Sequence, residues 1–145
     1  MSRIRFRHIV VLIALLISSS LSAMSKNPVL KNTKWTAVQE EFVADAGTMT
    51  ITYTLEFISD KEVRVHEKSY LPPYPAMYMN PDGTIDTMPG HSSETSETGT
   101  YSYRRGKLTI TTKDGQKQEY TYRIDGTFVR ELPWGELVVF SRSKD

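Results

Sequence analysis

Residues 48–57 read Thr-Met-Thr-Ile-Thr-Tyr-Thr-Leu-Glu-Phe, with Met49, Ile51, Tyr53, Leu55 and Phe57 separated only by threonines and Glu56. A period of two puts every one of those apolar side chains on one face of an extended strand, whereas a helix would scatter them around its circumference. The intervening threonines are β-branched and favour extended backbone, so local preference and patterning agree. The chain must therefore build sheet with one dry face, and it needs further strands to cover that face.

Those strands follow. After a turn at residues 59–62, Val63 and Val65 alternate with Glu62, Arg64 and His66. Tyr101 and Tyr103 alternate with Thr100, Ser102 and Arg104, and beyond a turn at Arg105-Gly106 the pattern resumes with Leu108 and Ile110. Asp114-Gly115 is a hairpin signal between two strand-like arms, the second placing Tyr120, Tyr122 and Ile124 opposite Glu119, Thr121 and Arg123. Asp125-Gly126 reverses the chain into residues 127–132, and Pro133-Trp134-Gly135 turns it again into a last strand over 136–141. Upstream, residues 34–38 make the first strand, while 40–46 is too short for a helix and runs into Gly47. Consecutive hairpins imply antiparallel neighbours. The expected fold class is all-β, an antiparallel meander of about eight strands, and closing it into an up-and-down barrel removes the exposed edges.

One stretch breaks the rhythm. Residues 71–83 hold Pro72, Pro73, Pro75 and Pro81, and 84–98 pass through Pro89-Gly90-His91 into a Ser/Thr/Glu-rich run. Prolines deny ladder hydrogen bonds. The reading is a long loop over 71–98 whose Tyr- and Met-rich first half packs on the barrel and whose second half is wet and mobile.

Arg3, Arg5, Arg7 and His8 precede an apolar run over 9–17 and a small-residue stretch ending at Ala23. That order reads as a secretory signal peptide over 1–23, with cleavage after Ala23 or after Ser25. The apolar run is far shorter than the roughly 20 residues a bilayer span needs, so no stable transmembrane helix is expected. The domain plan is a leader over 1–23, a lead-in over 24–33 and one barrel domain over 34–142, exported to the periplasm or beyond. No cysteine occurs, so the fold rests on its core without disulfides. Removing 1–23 takes three of the 18 Lys/Arg and none of the 17 Asp/Glu, leaving 15 against 17. That balance, with no basic track in the remainder, gives no ground for a nucleic-acid partner.

Leu30-Lys31-Asn32-Thr33-Lys34-Trp35, the segments 55–61, 99–103 and 107–110, and the closing Leu137-Val138-Val139-Phe140 together resemble the small exported lipocalin-like (calycin-like) proteins of Bacteroidetes-type bacteria. The opening is similar to their L-x-G-x-W, with Asn32-Thr33 standing where a glycine is expected. The resemblance implies a barrel, an exported address and a small apolar ligand in some members, and an early tryptophan that plugs one barrel end.

No catalytic or metal constellation is legible. His66 and His91 follow no zinc spacing, no G-x-S-x-G elbow is present, and the glutamates alternate as solvent-facing sheet residues. The expectation is a noncatalytic protein without cofactor or metal. The aromatic residues carry the ligand reading: Tyr53, Tyr101, Tyr103, Tyr120 and Tyr122 fall on inward parities, and Tyr74, Met77 and Tyr78 lie in the proline-rich loop. Between them a barrel of about eight strands encloses one small apolar or amphipathic ligand. The alternative is a structural or protein-interaction module of the cell envelope with a filled interior, presenting the loop to a protein partner.

Overall fold

Each strand read from the alternation is present in the computed structural model, which describes residues 27–144. The leader expected over 1–23 lies outside the described residues. Ten strands are formed: β1 (Thr33–Val43), β2 (Gly47–Phe57), β3 (Glu62–Leu71), β4 (Tyr74–Met79), β5 (Ile85–Met88), β6 (His91–Arg104), β7 (Lys107–Thr111), β8 (Lys117–Tyr122), β9 (Phe128–Glu131) and β10 (Leu137–Arg142). Eight of them close in the order β1-β10-β9-β8-β7-β6-β3-β2, every neighbour antiparallel, while β4 and β5 make a separate two-stranded ribbon. The all-β closed meander is thus the fold, an eight-stranded barrel consistent in general with lipocalin-like architecture.

Register explains the core. Leu55 faces Trp35 on one side and Val65 on the other, Phe57 faces Val63, Leu108 faces Tyr120, and Phe128 faces both Tyr122 and Phe140. Directly opposed residues share a face, so these pairs all point inward. Phe57, Phe128, Phe140, Leu55, Leu108, Ile110 and Val63 are fully buried. Each contributes about 1.5–3 kcal/mol of burial free energy, the term that must replace the missing disulfides.

The turns share a device. Gly83, Gly115, Gly126 and Gly135 each take φ between 83° and 87° and donate their N–H to the residue three before, Asn80, Thr112, Arg123 and Leu132 respectively. A type I turn closed by a left-handed residue matches the twist of the arms it joins, and glycine enters that conformation without a Cβ clash. Before three of these glycines stands an aspartate that accepts from a threonine hydroxyl: Asp82 from Thr84 and Asp125 from Thr127, both at 2.7 Å, and Asp114 from Thr112. In the Asn32-Thr33 step, where the resemblance leads one to expect a glycine, Asn32 takes φ 57°. Asparagine tolerates the left-handed region better than most side chains, so the backbone path survives the exchange.

Three expectations are corrected. The first strand runs to Val43 because the hairpin with β2 pairs its full length, ending at Val43↔Gly47. Ile124 is exposed, since the Arg123–Thr127 hydrogen bond takes it into a turn before it can point inward. The 71–98 loop is replaced by strands. β3 and β6 pair from Glu62↔Thr100 to Leu71↔His91, and β4 pairs with β5 beyond the proline break. Ser92 to Glu97 are wet as expected, yet they are held in that ladder. Pro72 and Pro73 fall in the gap between the two ladders, so they forfeit no strand pairing, and a Cβ on Gly90 would stand 2.4 Å from the Leu71 carbonyl oxygen. The result is one long bent hairpin whose outer arm, β4–β5, projects beyond the wall.

β6 leaves β3 and joins β7 at Thr100. Gly99 sits at that crossing, where a Cβ would meet the Thr111 carbonyl oxygen at 2.5 Å. The barrel closes through a short seam, Trp35↔Arg142 and Thr36↔Ser141, with one further bond from Ser143 N–H to the Lys34 carbonyl.

Candidate binding site

The inward tyrosines all reach the core, and their neighbours are chiefly one another's rings. Tyr120 is buried and lies edge-on to Phe140 at 5.4 Å; Tyr101 meets Phe57 at 4.8 Å; Tyr122 and Tyr103 both contact Phe128. Edge-to-face pairs of this kind satisfy the ring quadrupoles and fill space. Trp35 is buried beside Phe128 at 4.8 Å and donates its indole N–H to the Thr33 hydroxyl at 2.9 Å.

Three of the five hydroxyls donate to identified acceptors. Tyr101 donates to the Ser59 carbonyl at 2.9 Å, Tyr120 to the Gln118 side-chain oxygen at 2.8 Å, and Tyr53 to that of Gln39 at 3.4 Å. Burial pushes the phenols of Tyr53, Tyr101 and Tyr103 above their ordinary range, and that of Tyr120 up to about 12 even though the Arg130 charge beside it pulls the other way. These phenols are neutral at any physiological pH.

The loop residues are elsewhere. Tyr74 is half-buried on β4, and Met77 and Tyr78 stand 78 % and 60 % exposed on the projecting arm. The strand tyrosines thus pack in the core, while Met77 and Tyr78 stand in solvent on the β4–β5 ribbon.

A different opening exists in the wall. The hydrogen-bonding positions between β8 and β9 run Arg123–Thr127 and Thr121↔Val129, and the ladder stops there. Continuing it would place Glu119 opposite Glu131 and Lys117 opposite Pro133. The first pair sets like charges on one face, and Pro133 lacks the N–H that its position requires. The two strands part, leaving a cleft of about 740 Å³ lined by Lys117, Gln118, Glu119, Arg130, Val129, Pro133 and Leu137 among others.

Both faces of the wall contribute to that cleft. Lys117, Glu119, Val129 and Leu137 carry the outward parity, whereas Gln118 and Arg130 carry the inward parity of Tyr120 and Phe128. Arg130 lies half-buried with its guanidinium carbon 5.9 Å from the Tyr120 ring centroid, a cation–π contact. The described residues provide three ion pairs, Lys31–Asp60, Arg64–Glu56 and His66–Glu56, and Arg130 is in none of them. A guanidinium with planar donors, a neutral amide and a neighbouring lysine, beside an apolar strip, can hold the anionic or polar end of a small amphipathic molecule.

Sequence reasoning missed Arg130. Its signal was present, since Phe128, Arg130 and Leu132 share one parity and an arginine between two core residues is a polar group aimed at an interior.

The histidines gather no metal-binding group. His66 faces outward opposite Thr54, its Nε2 3.9 Å from a Glu56 oxygen, and His91 is exposed opposite Leu71. Among the described residues no cluster of three His, Cys, Asp or Glu side chains occurs, and no helix is long and apolar enough to cross a membrane. Comparison of the chain with family profiles, with curated proteins and with solved structures finds no match.

Proposed function

We propose that this chain is an exported, noncatalytic binding barrel whose ligand is a small amphipathic molecule with an anionic end. The reading rests on one observation: the β8–β9 ladder ends early and opens a cleft in which Arg130, without an ion-pair partner among the described residues, stands beside the Val129, Pro133 and Leu137 strip. The tightly packed aromatic interior supports a site in the wall in preference to one at the barrel centre.

Titration calorimetry with dodecanoate, dodecyl sulfate below its micellar range and dodecanol tests it. The two anions bind saturably, the alcohol binds more weakly, and Arg130→Gln loses about tenfold or more in affinity for the anions, the effect of removing a charge-assisted hydrogen bond. Equal affinity of the wild type and Arg130→Gln for dodecanoate refutes the assignment.

The second reading is a protein-interaction module of the envelope, favoured by the exposed Met77, Tyr78, Met79 and Ile85 on the β4–β5 arm. The arm is braced for presentation, since Asn80 donates to both Thr84 and Asp86 and Asp82 accepts from the Thr84 N–H. A photo-crosslinker at residue 78, used in the native envelope, should then capture a defined partner that Met77→Ser releases.

A further inference from the structure

Among the described residues, β1 is paired on one side along its whole length and on the other only at its beginning. In the ladder with β2 the hydrogen-bonding positions are the odd residues, ending at Val43↔Gly47. Even residues present their N–H and C=O to the opposite edge, as Lys34 does in accepting from Ser143 N–H. That edge is occupied by β10 at Thr36↔Ser141 and no further. Val38, Glu40 and Phe42 therefore hold their backbone groups along an edge with no ladder partner among the described residues. Their side chains share the outer face, Val38 64 % and Phe42 79 % exposed. A strand edge with apolar outer residues and without proline, lysine or a bulge is a template for strand addition.

We infer that this edge pairs with the same edge of a second copy, antiparallel about a two-fold axis through Glu40. An isologous contact demands a self-complementary register. Pairing Val38 with the other copy's Phe42, Glu40 with its counterpart and Phe42 with the other Val38 engages all three edge residues of each chain. Moving the axis to Gln39 requires Thr36, already bonded to β10, and moving it to Glu41 runs past the strand end at Val43. The axis through Glu40 is thus the register that uses the whole edge, and it lays each valine against a phenylalanine. It also sets two carboxylates opposite each other, which limits affinity and makes the association adjustable at one position.

Sedimentation equilibrium and amide hydrogen exchange on the purified protein, as a concentration series, test this. A monomer–dimer equilibrium is expected, with the amides of Val38, Glu40 and Phe42 gaining protection as concentration rises. Those of Gln39 and Glu41, already bonded to β2, stay protected throughout. Glu40→Gln tightens the dimer roughly two- to fivefold, the relief of one cross-strand like-charge pair. Phe42→Lys abolishes it. Glu40→Pro also abolishes it, and because the lost N–H faces the free edge the monomer ladder keeps its bonds. A protein that stays monomeric to about 1 mM overturns the inference. So does a dimer in which the three even amides remain unprotected, or one that Phe42→Lys leaves intact.

Discussion

Phe128→Ala is the most direct challenge to the closed aromatic core. Phe128 is fully buried, faces Tyr122 across one ladder and Phe140 across the next, and contacts Trp35, Tyr122 and Tyr103 at centroid distances of 4.8, 5.0 and 6.2 Å. Truncating a buried phenylalanine costs about 3–5 kcal/mol. The neighbouring rings are held by strands on three sides and cannot collapse into the space, so the upper half of that range, about 4 kcal/mol, is expected. That is a large part of the 5–15 kcal/mol typical of a domain this size. At about 4 °C per kcal/mol, the melting temperature falls by about 16 °C. Urea titration followed by tryptophan fluorescence and, independently, by circular dichroism measures it, with Val38→Ala as an exposed control costing under about 1 kcal/mol. A Phe128→Ala loss no larger than the control's would mean that the ring does not sit inside a closed wall.

Gly99→Ala should lower the urea midpoint by an amount corresponding to about 1–3 kcal/mol, because the new methyl meets the Thr111 carbonyl at 2.5 Å and backbone must shift. The Tyr120 phenol, held neutral up to about 12, stabilises the fold fully below the ordinary phenol range of about 10, and that stability drains as pH rises from there towards 12. Tyr120→Phe should therefore flatten the alkaline limb of a pH–stability profile, and an unchanged limb refutes the assignment. At the acidic end, threonine hydroxyl bonds hold the carboxyls of Asp82, Asp114 and Asp125 below the usual range. Their contribution is complete at neutral pH and fades as pH falls through their folded-state values, so Asp125→Ala should lower the urea midpoint more at pH 7 than at the acidic end of the profile.

The barrel was readable because its information is local. Ile51, Tyr53, Leu55 and Phe57 declare their shared face without reference to any other strand, and Asp114-Gly115 and Asp125-Gly126 declare where the chain reverses. The β4–β5 arm was hidden for a physical reason: Pro72, Pro73 and Pro89 argue against strand, and only the structure reveals that they fall between two ladders. Residues 92–97 were hidden too, since a strand exposed on both faces has no apolar period to betray it. The cleft depends on which residues oppose each other across β8 and β9. Glu119 and Glu131 conflict only once the register is known, and register is a property of two segments together.

The seam between β1 and β10 lies next to both described chain ends, Trp35 against Arg142 and Thr36 against Ser141. Antiparallel neighbours pulled apart from their adjacent ends release their bonds one after another, as a zipper does, instead of sharing the load in shear. Tension between the termini would therefore open this wall lengthwise at low force, whereas the same tension applied between β2 and β7 would have to tear across intact sheet. Pulling on β1 and β10 together makes the molecule fragile along one line, the seam at Trp35 and Arg142.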